Sequence, residues 1–381
     1  MTTSAAEPIP QTDPRASYVA HREEIDAAIG RVLRNGRYIN GPEVEAFEAE
    51  FGEYHGGARA VAVASGTDAL HLALRACGVG PGDRVVTVSH TAVATVAAIE
   101  LAGATPVLVD IDPRSYTLDV RQLEAHLTGA ESRSIKAIIP VHLYGHPANM
   151  PAITTLAQER GWRVIEDCAQ SHGAALHGRL AGTWGDIAAF SFYPTKNLGA
   201  IGDGGAVLTA NAELADRVRL LREYGWRQRY VSDVPGTNSR LDELQAAILR
   251  VKLRYLTMDN ARRERIAARY HAGLAGSALS LPLVAEDTRH AFHQFVVRTS
   301  RRDAVRESLA ARGVSTLVHY PVPVHGQPAY RGRIECAGSM AETESAASEV
   351  LSLPMFPELA DAQLDRAIAV LHEVATEAPG R

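Results

Sequence analysis

Between residues 58 and 209 the chain repeats one unit: a short, almost unbroken apolar run, then a turn, then a segment of helical period. Residues 58–64, 84–89, 105–110, 135–141 and 162–167 read as strands. Residues 67–77, 92–101, 119–127 and 150–160 read as the helices between them. Strands that are apolar at successive positions must be covered on both faces, because a strand with one face in water alternates. Strands separated by helices cannot pair as hairpins, so their sheet has to be mostly parallel. Two more runs, 186–192 and 205–209, bring the expected sheet to seven strands flanked by helices: an α/β fold.

Outside this block the pattern changes. Residues 19–34 and 43–54 have helical period before the first strand, and 241–256 and 260–274 read as long helices. The second carries Arg262, Arg263, Arg265 and Arg269, which reads as a solvated face. From about residue 281 come a strand (291–298), a helix (303–312), a strand (314–319) and a terminal helix (361–376), a smaller C-terminal α+β module. The expected division is a flexible N-terminal arm at 1–15, a large domain at 16–257 and a small domain at 258–381.

Composition excludes several classes. The chain has 381 residues, 46% of them hydrophobic and 22% charged, with a net charge of −5 and both signs interspersed. That balance offers no basic surface for nucleic acid or anionic membrane. No apolar run is long enough to span a bilayer, and residues 1–15 lack the apolar core of a secretory signal. Cys77, Cys168 and Cys336 are odd in number and widely spaced, which gives neither a disulfide framework nor a metal pattern. The expected compartment is the reducing cytoplasm.

In open α/β sheets, ligands sit beyond the carboxyl ends of the strands. Asp167 ends one strand, and Lys196 follows another in Ser191-Phe192-Tyr193-Pro194-Thr195-Lys196. Singly, a loop lysine is usually a solvated charge and an aspartate at a strand end a turn or cap residue. Together they match what pyridoxal phosphate needs: an amine to form a Schiff base, and an acid to keep the pyridine nitrogen protonated. Gln170, one turn beyond Asp167, can donate to the phenolic oxygen. His172 could orient Asp167 or be a buried structural histidine. Ser65-Gly66-Thr67-Asp68 opens a helix directly after a strand. The stretch is an ordinary cap by composition, but its free N–H groups suit an anion, Gly66 permits close approach, and Thr67 and Ser191 add hydroxyls. Asn238, before another helix, reads either as a cap or as a phosphate contact.

SGTDALHLAL, VHLYGHPANM, IEDCAQSHGA, FSFYPTKNLGAIGDGGAV, GTNSRLDELQAAIL and VHYPVPVHGQPAY, in that order, resemble the DegT/DnrJ/EryC1/StrS family of aminotransferases acting on nucleotide-linked keto-sugars. The resemblance spans about residues 40–330 and implies a fold-type-I pyridoxal phosphate transferase. It implies that Lys196 bonds the cofactor and acts as base, that Asp167 pairs with the ring nitrogen, and that Gln170 pairs with the ring oxygen. Gly66, Thr67 and Ser191 would hold the phosphate. It further implies a homodimer with shared sites, in which Asn238 reaches the neighbour's phosphate and Arg240 lies near the interface. His319 and Tyr320 would lie at the sugar-binding mouth. Arg227, Arg229 and Arg240 are candidates for a diphosphate, although surface arginines are commoner.

One departure stands out. The family's motif places an aromatic residue, stacked on the cofactor ring, where this chain has Ala92 in Ser89-His90-Thr91-Ala92. Either His90 stacks instead or smaller groups pack that face; His90 is the preferred candidate. Retention of lysine rather than histidine at 196 favours transamination over the dehydration carried out by cousins in the family. The expected reaction moves an amino group from glutamate to a dTDP-linked 3- or 4-keto-6-deoxy sugar, with no metal. A keto-cyclitol acceptor is the runner-up. A non-catalytic cofactor-binding regulator and a lyase are the other classes.

Overall fold

The computed structural model describes residues 7–126 and 134–376. The helices Pro14–Ala20 (α1), Arg22–Asn35 (α2) and Pro42–Tyr54 (α3) precede strand β1 (Arg59–Val63). Helix α4 (Gly66–Ala76), β2 (Arg84–Val88), α5 (Val93–Leu101), β3 (Thr105–Val109), β4 (Ile135–Ile138) and β5 (Arg163–Asp167) follow. A small hairpin, β6 (Ala175–Leu176) and β7 (Arg179–Leu180), leads to β8 (Ile187–Ser191) and β9 (Gly205–Thr209). The central sheet runs β1-β9-β8-β5-β4-β2-β3 and ends on a short eighth strand, Glu335–Cys336. Only β9 is antiparallel to its neighbours; the remaining pairs are parallel.

The apolar runs are buried on both faces, as parallel strands require. Val61, Ile165 and Val207 pack with Leu70, Leu74 and Ile99 of the covering helices. On the opposite face Phe190 and Ala206 meet Phe47 and Phe51 of α3 and Leu249 of the helix Glu243–Leu253. A separate core unites Tyr270, Phe295, Leu309, Leu364 and Leu371 in the C-terminal part. Among the described residues no helix is long and apolar enough to cross a membrane.

Several expectations need correction. The arm expected to be flexible at 1–15 is packed from Ile9, which is fully buried in the C-terminal core and bonded on both sides to the backbone of Gly313 and Ser315. Residues 1–6 lie outside the described residues. Residues 314–319 form no ladder: Val314 and Leu317 make isolated bridges to Ile9 and Ser352. The partner of strand Phe295–Arg298 is instead Val350–Leu353. That run follows the helix Ala341–Glu349 without a break, so no turn residue marks it. The basic face of the helix Leu256–Gly273 is not wholly solvated either. Arg263 is 4% exposed and donates to the carbonyls of Phe292 and Met355.

The sheet's eighth strand comes from beyond residue 258, so the two parts are tied together rather than merely adjacent. Asp110, just past β3, accepts the N–H groups of Glu342 and Thr343 and so caps the helix Ala341–Glu349. Val324 N–H bonds the carbonyl of Ser89, and the Ser89 hydroxyl pairs with His325.

Candidate active site

Strands β1, β5 and β8 run in one direction, β9 lying antiparallel between β1 and β8. Their carboxyl ends therefore open on one edge, which brings Gly66, Asp167 and Ser191 to it, with Lys196 five residues beyond Ser191.

Asp167 is 5% exposed. One carboxylate oxygen accepts the Thr95 hydroxyl at 2.9 Å and the other the Ala169 N–H at 3.2 Å. Burial pushes its pKa up, while Thr95, Ala169 and the charge of Lys196 pull it back. Lys196 is part-buried as a residue but its amine lies inside the protein, and loss of hydration lowers that amine to about 8, with Asp167 opposing. The amine is thus a base near neutral pH, which an exposed lysine is not. The loop holding it is tied down at Asn197, whose amide donates to Asn260 and to the Ala291 carbonyl.

Gln170 is oriented from both ends. Its oxygen accepts the Tyr144 N–H at 2.7 Å, and its nitrogen donates to the Tyr320 hydroxyl at 3.1 Å, which leaves one amide hydrogen unspent. His319 and Tyr320 lie close to the same centre. Burial first, and Lys196 second, lower His319 to about 4. Burial first, and Asp167 second, raise Tyr320 to about 12.

At the start of α4, Ser65 caps the helix by accepting the Asp68 N–H at 3.1 Å. The N–H groups of Gly66 and Thr67 precede the first intrahelical bond and stay free for an anion. A Cβ on Gly66 would stand 2.6 Å from that of Ser191, so only glycine lets the two segments meet here. Ser191 therefore lies against the N-terminus of α4, where its hydroxyl and the helix's first N–H groups are donors suited to a phosphate.

The structure does not bring every candidate together. His90, expected against a ring face, is fully buried elsewhere. Its ring packs on Tyr116 and Tyr144, and its Nε2 lies 2.8 Å from the Tyr144 hydroxyl. Burial lowers its pKa to about 4, and the charges reaching it are Arg298 and Asp110, not Lys196 or Asp167. Of the two readings of His172, the structure supports the buried structural one: its ring lies against Phe190 and Phe192, and the hydroxyl on Asp167 is that of Thr95. Cys168 is buried, its thiol pushed well up, and is no nucleophile. Asn238 is exposed and, with Arg240, Gly202 and Asp203, lines an open depression of about 550 Å³. Among the described residues neither bonds Lys196, Thr67 or Ser191. Arg227, on the hairpin Trp226–Gln228 and Val231–Ser232, pairs with Asp233 at 2.9 Å.

Sequence reasoning missed Thr95 and Tyr144. Thr95 sits one helical turn after Thr91 at the start of α5, and that spacing is the only signal it carried. Tyr144 was visible only as the aromatic before Gly145. His142, Glu166 and Cys168 are close enough to suggest a metal. However, the His142 Nδ1 accepts the Ala148 N–H, so its Nε2 carries the proton given to Glu166. Glu166 also accepts the N–H groups of Gly182, Trp184 and Gly185.

The chain is 51% identical over 377 residues, 98% of each sequence, to a dTDP-3-amino-3,4,6-trideoxy-alpha-D-glucose transaminase of Streptomyces venezuelae. It is 47% identical, over 97% of its length and 98% of the relative's, to a UDP-N-acetyl-3-dehydro-alpha-D-glucosamine 3-aminotransferase of Acidithiobacillus ferrooxidans. The crystal structure of S. venezuelae DesV in complex with a ketimine intermediate superposes with a TM-score of 0.94 at 50% identity, covering 98% of this chain and all of that one. Residues 19–372 match the DegT/DnrJ/EryC1/StrS aminotransferase family, and with a buried lysine and carboxylate at the carboxyl ends of its parallel strands, this chain belongs to that family of enzymes.

Proposed function

We propose that this aminotransferase uses pyridoxal phosphate to move an amino group from glutamate to the ketone of a nucleotide-linked sugar. The preferred acceptor is a dTDP-linked 3- or 4-keto-6-deoxy hexose. The observation that carries the reading is the buried Lys196–Asp167 pair, one group a base near neutral pH and the other a carboxylate with acceptor capacity left over. The relatives' substrates supply the sugar class and divide over the nucleotide, one being dTDP-linked and one UDP-linked.

The residues present fit the cofactor. Gly66, Thr67 and Ser191 would hold its phosphate, Asp167 its ring nitrogen and the unspent Gln170 hydrogen its ring oxygen. When bound, the cofactor supplies an electron sink for the carbon that loses its proton. Lys196 would anchor it covalently and, once displaced, take the proton from the amine-bearing carbon and return it one position away. A base with a pKa of about 8 has a usable deprotonated fraction near neutral pH, and can do both. Asp167, held by Thr95 and Ala169, keeps its negative charge aimed at the ring nitrogen. His319 and Tyr320 would meet the sugar. Asn238 and Arg240, which among the described residues make no bond to their own chain's lysine, would complete the site of a second copy, so the working unit is a homodimer located in the cytoplasm.

The test offers purified protein, pyridoxal phosphate and glutamate to a panel of dTDP- and UDP-linked 3- and 4-keto sugars, with product mass as readout. A gain of one amine on a nucleotide sugar is expected. Conversion of the cofactor by glutamate with no sugar aminated would overturn the sugar assignment and move the search to keto-cyclitols. No cofactor binding at all would sink the whole reading.

A further inference from the structure

Tyr144 reaches both Gln170 and the 319–320 segment, and it does so in an uncommon backbone conformation. It is 3% exposed with φ of 59°, a left-handed position that residues other than glycine and asparagine rarely hold, and which tends to be kept where surroundings enforce it. Its N–H orients the Gln170 amide. Its hydroxyl donates to the His319 carbonyl. A hydroxyl has a single hydrogen, so the remaining contact, with His90 Nε2 at 2.8 Å, must be one in which the tyrosine oxygen accepts and the imidazole donates. His90 therefore carries a proton on Nε2, and burial keeps the ring neutral. Its Nδ1 is buried without a partner among the described residues.

We infer that His90 is a positioning residue: by donating to the Tyr144 hydroxyl it locks Tyr144 in its left-handed turn, and through Tyr144 it fixes both the Gln170 amide and the His319–Tyr320 segment. A ring on the large sheet thus sets the distance between the cofactor's ring-oxygen donor and the sugar side of the pocket. This rests on the reading of Gln170 as the contact of the cofactor's ring oxygen. Flipping or loosening that amide would turn an oxygen lone pair, rather than a hydrogen, toward a phenolate.

The experiment compares wild type with His90→Phe, His90→Gln, Tyr144→Phe and the His90→Phe/Tyr144→Phe double variant. Each is stripped of cofactor and titrated with pyridoxal phosphate, with visible circular dichroism of the bound cofactor recorded at saturation. Loss of an oriented hydrogen bond to a charged oxygen predicts affinity weaker by about tenfold and a reduced visible signal in His90→Phe and Tyr144→Phe. Because the two act as one unit, the double variant should be no weaker than either single one. His90→Gln places an amide donor near the Nε2 position and should recover most of the affinity. Wild-type affinity and visible signal in His90→Phe would overturn the inference, as would losses that multiply in the double variant, since a ring that only fills space has no link to Tyr144. Should His90→Phe fail to fold, Tyr144→Phe removes a single oxygen and carries the same expectation. If wild type itself binds no cofactor, it is the proposed function that fails, not the His90–Tyr144 link.

Discussion

Replacing Thr95 by valine removes one hydroxyl from beneath Asp167 and nearly conserves volume. Thr95 is fully buried; its hydroxyl donates to Asp167 at 2.9 Å and therefore accepts from the Thr91 hydroxyl at 3.0 Å. A hydrogen bond to a charged group is worth about 1.5–3 kcal/mol, or roughly one to two pKa units on Asp167. The folded pKa of Asp167 already lies above its ordinary 3.8 because of burial. The folded protein thus binds that proton more tightly than the unfolded chain, and stability falls as pH rises from 3.8 to the folded value. Removing the hydroxyl raises the folded value again. The added loss is absent below the wild-type folded pKa, grows above it, and is complete above the new folded pKa. Urea unfolding of the cofactor-free protein should show Thr95→Val destabilised by about 1.5–3 kcal/mol at pH 7 and distinctly less at pH 4, where only the unpaired Thr91 hydroxyl remains as a cost. Thr95→Ser keeps the hydroxyl and should lose only the methyl packing, about 1 kcal/mol at both pH values. An equal loss for Thr95→Val at pH 4 and pH 7, or none at pH 7, would refute the assignment of Thr95 as the group holding Asp167 ionised.

Lys196→Met should abolish amino transfer yet raise the melting temperature of the cofactor-free protein at pH 7. The buried amine is held down to about 8 from 10.5, so its cost is full below 8 and gone above 10.5, and the gain should shrink across that window in melts at rising pH. Gly66→Ala would put a methyl 2.6 Å from the Ser191 Cβ; pyridoxal phosphate should bind at least about tenfold more weakly, although alanine favours the helix. Ile9→Ala should cost about 2–5 kcal/mol in chemical unfolding, because Ile9 is fully buried. A freely moving arm would lose nothing.

The parts of the site legible in the sequence are those whose position follows from local pattern. A strand end is readable from a run of apolar residues, and Asp167, Ser191 and Gly66 sit at such ends, so their common edge follows from the sheet's parallel order. Thr95 and His90 were opaque for the opposite reason. Thr95 meets Asp167 across 72 residues of sequence, and His90 meets Tyr144 across 54. Which way each side chain points depends on how the segment after β2 settles against the end of β5 and the 143–145 turn. His90 looked like a stacking ring because its place in the motif was known and its direction was not.

Sequence alone determined the layered α/β fold and the kind of chemistry. Burial of parallel strands on both faces writes itself into every strand, and a lysine and an aspartate at strand ends leave few other uses for the edge they share. Only the tertiary structure decided how those groups are tuned. Burial lowers Lys196 to about 8, Thr95 shares the carboxylate of Asp167, Tyr144 aims Gln170, and the eighth strand Glu335–Cys336 carries the C-terminal part back onto β3. Dehydration, hydrogen-bond direction and edge pairing are properties of neighbours distant in the chain, and they exist only once the chain is folded.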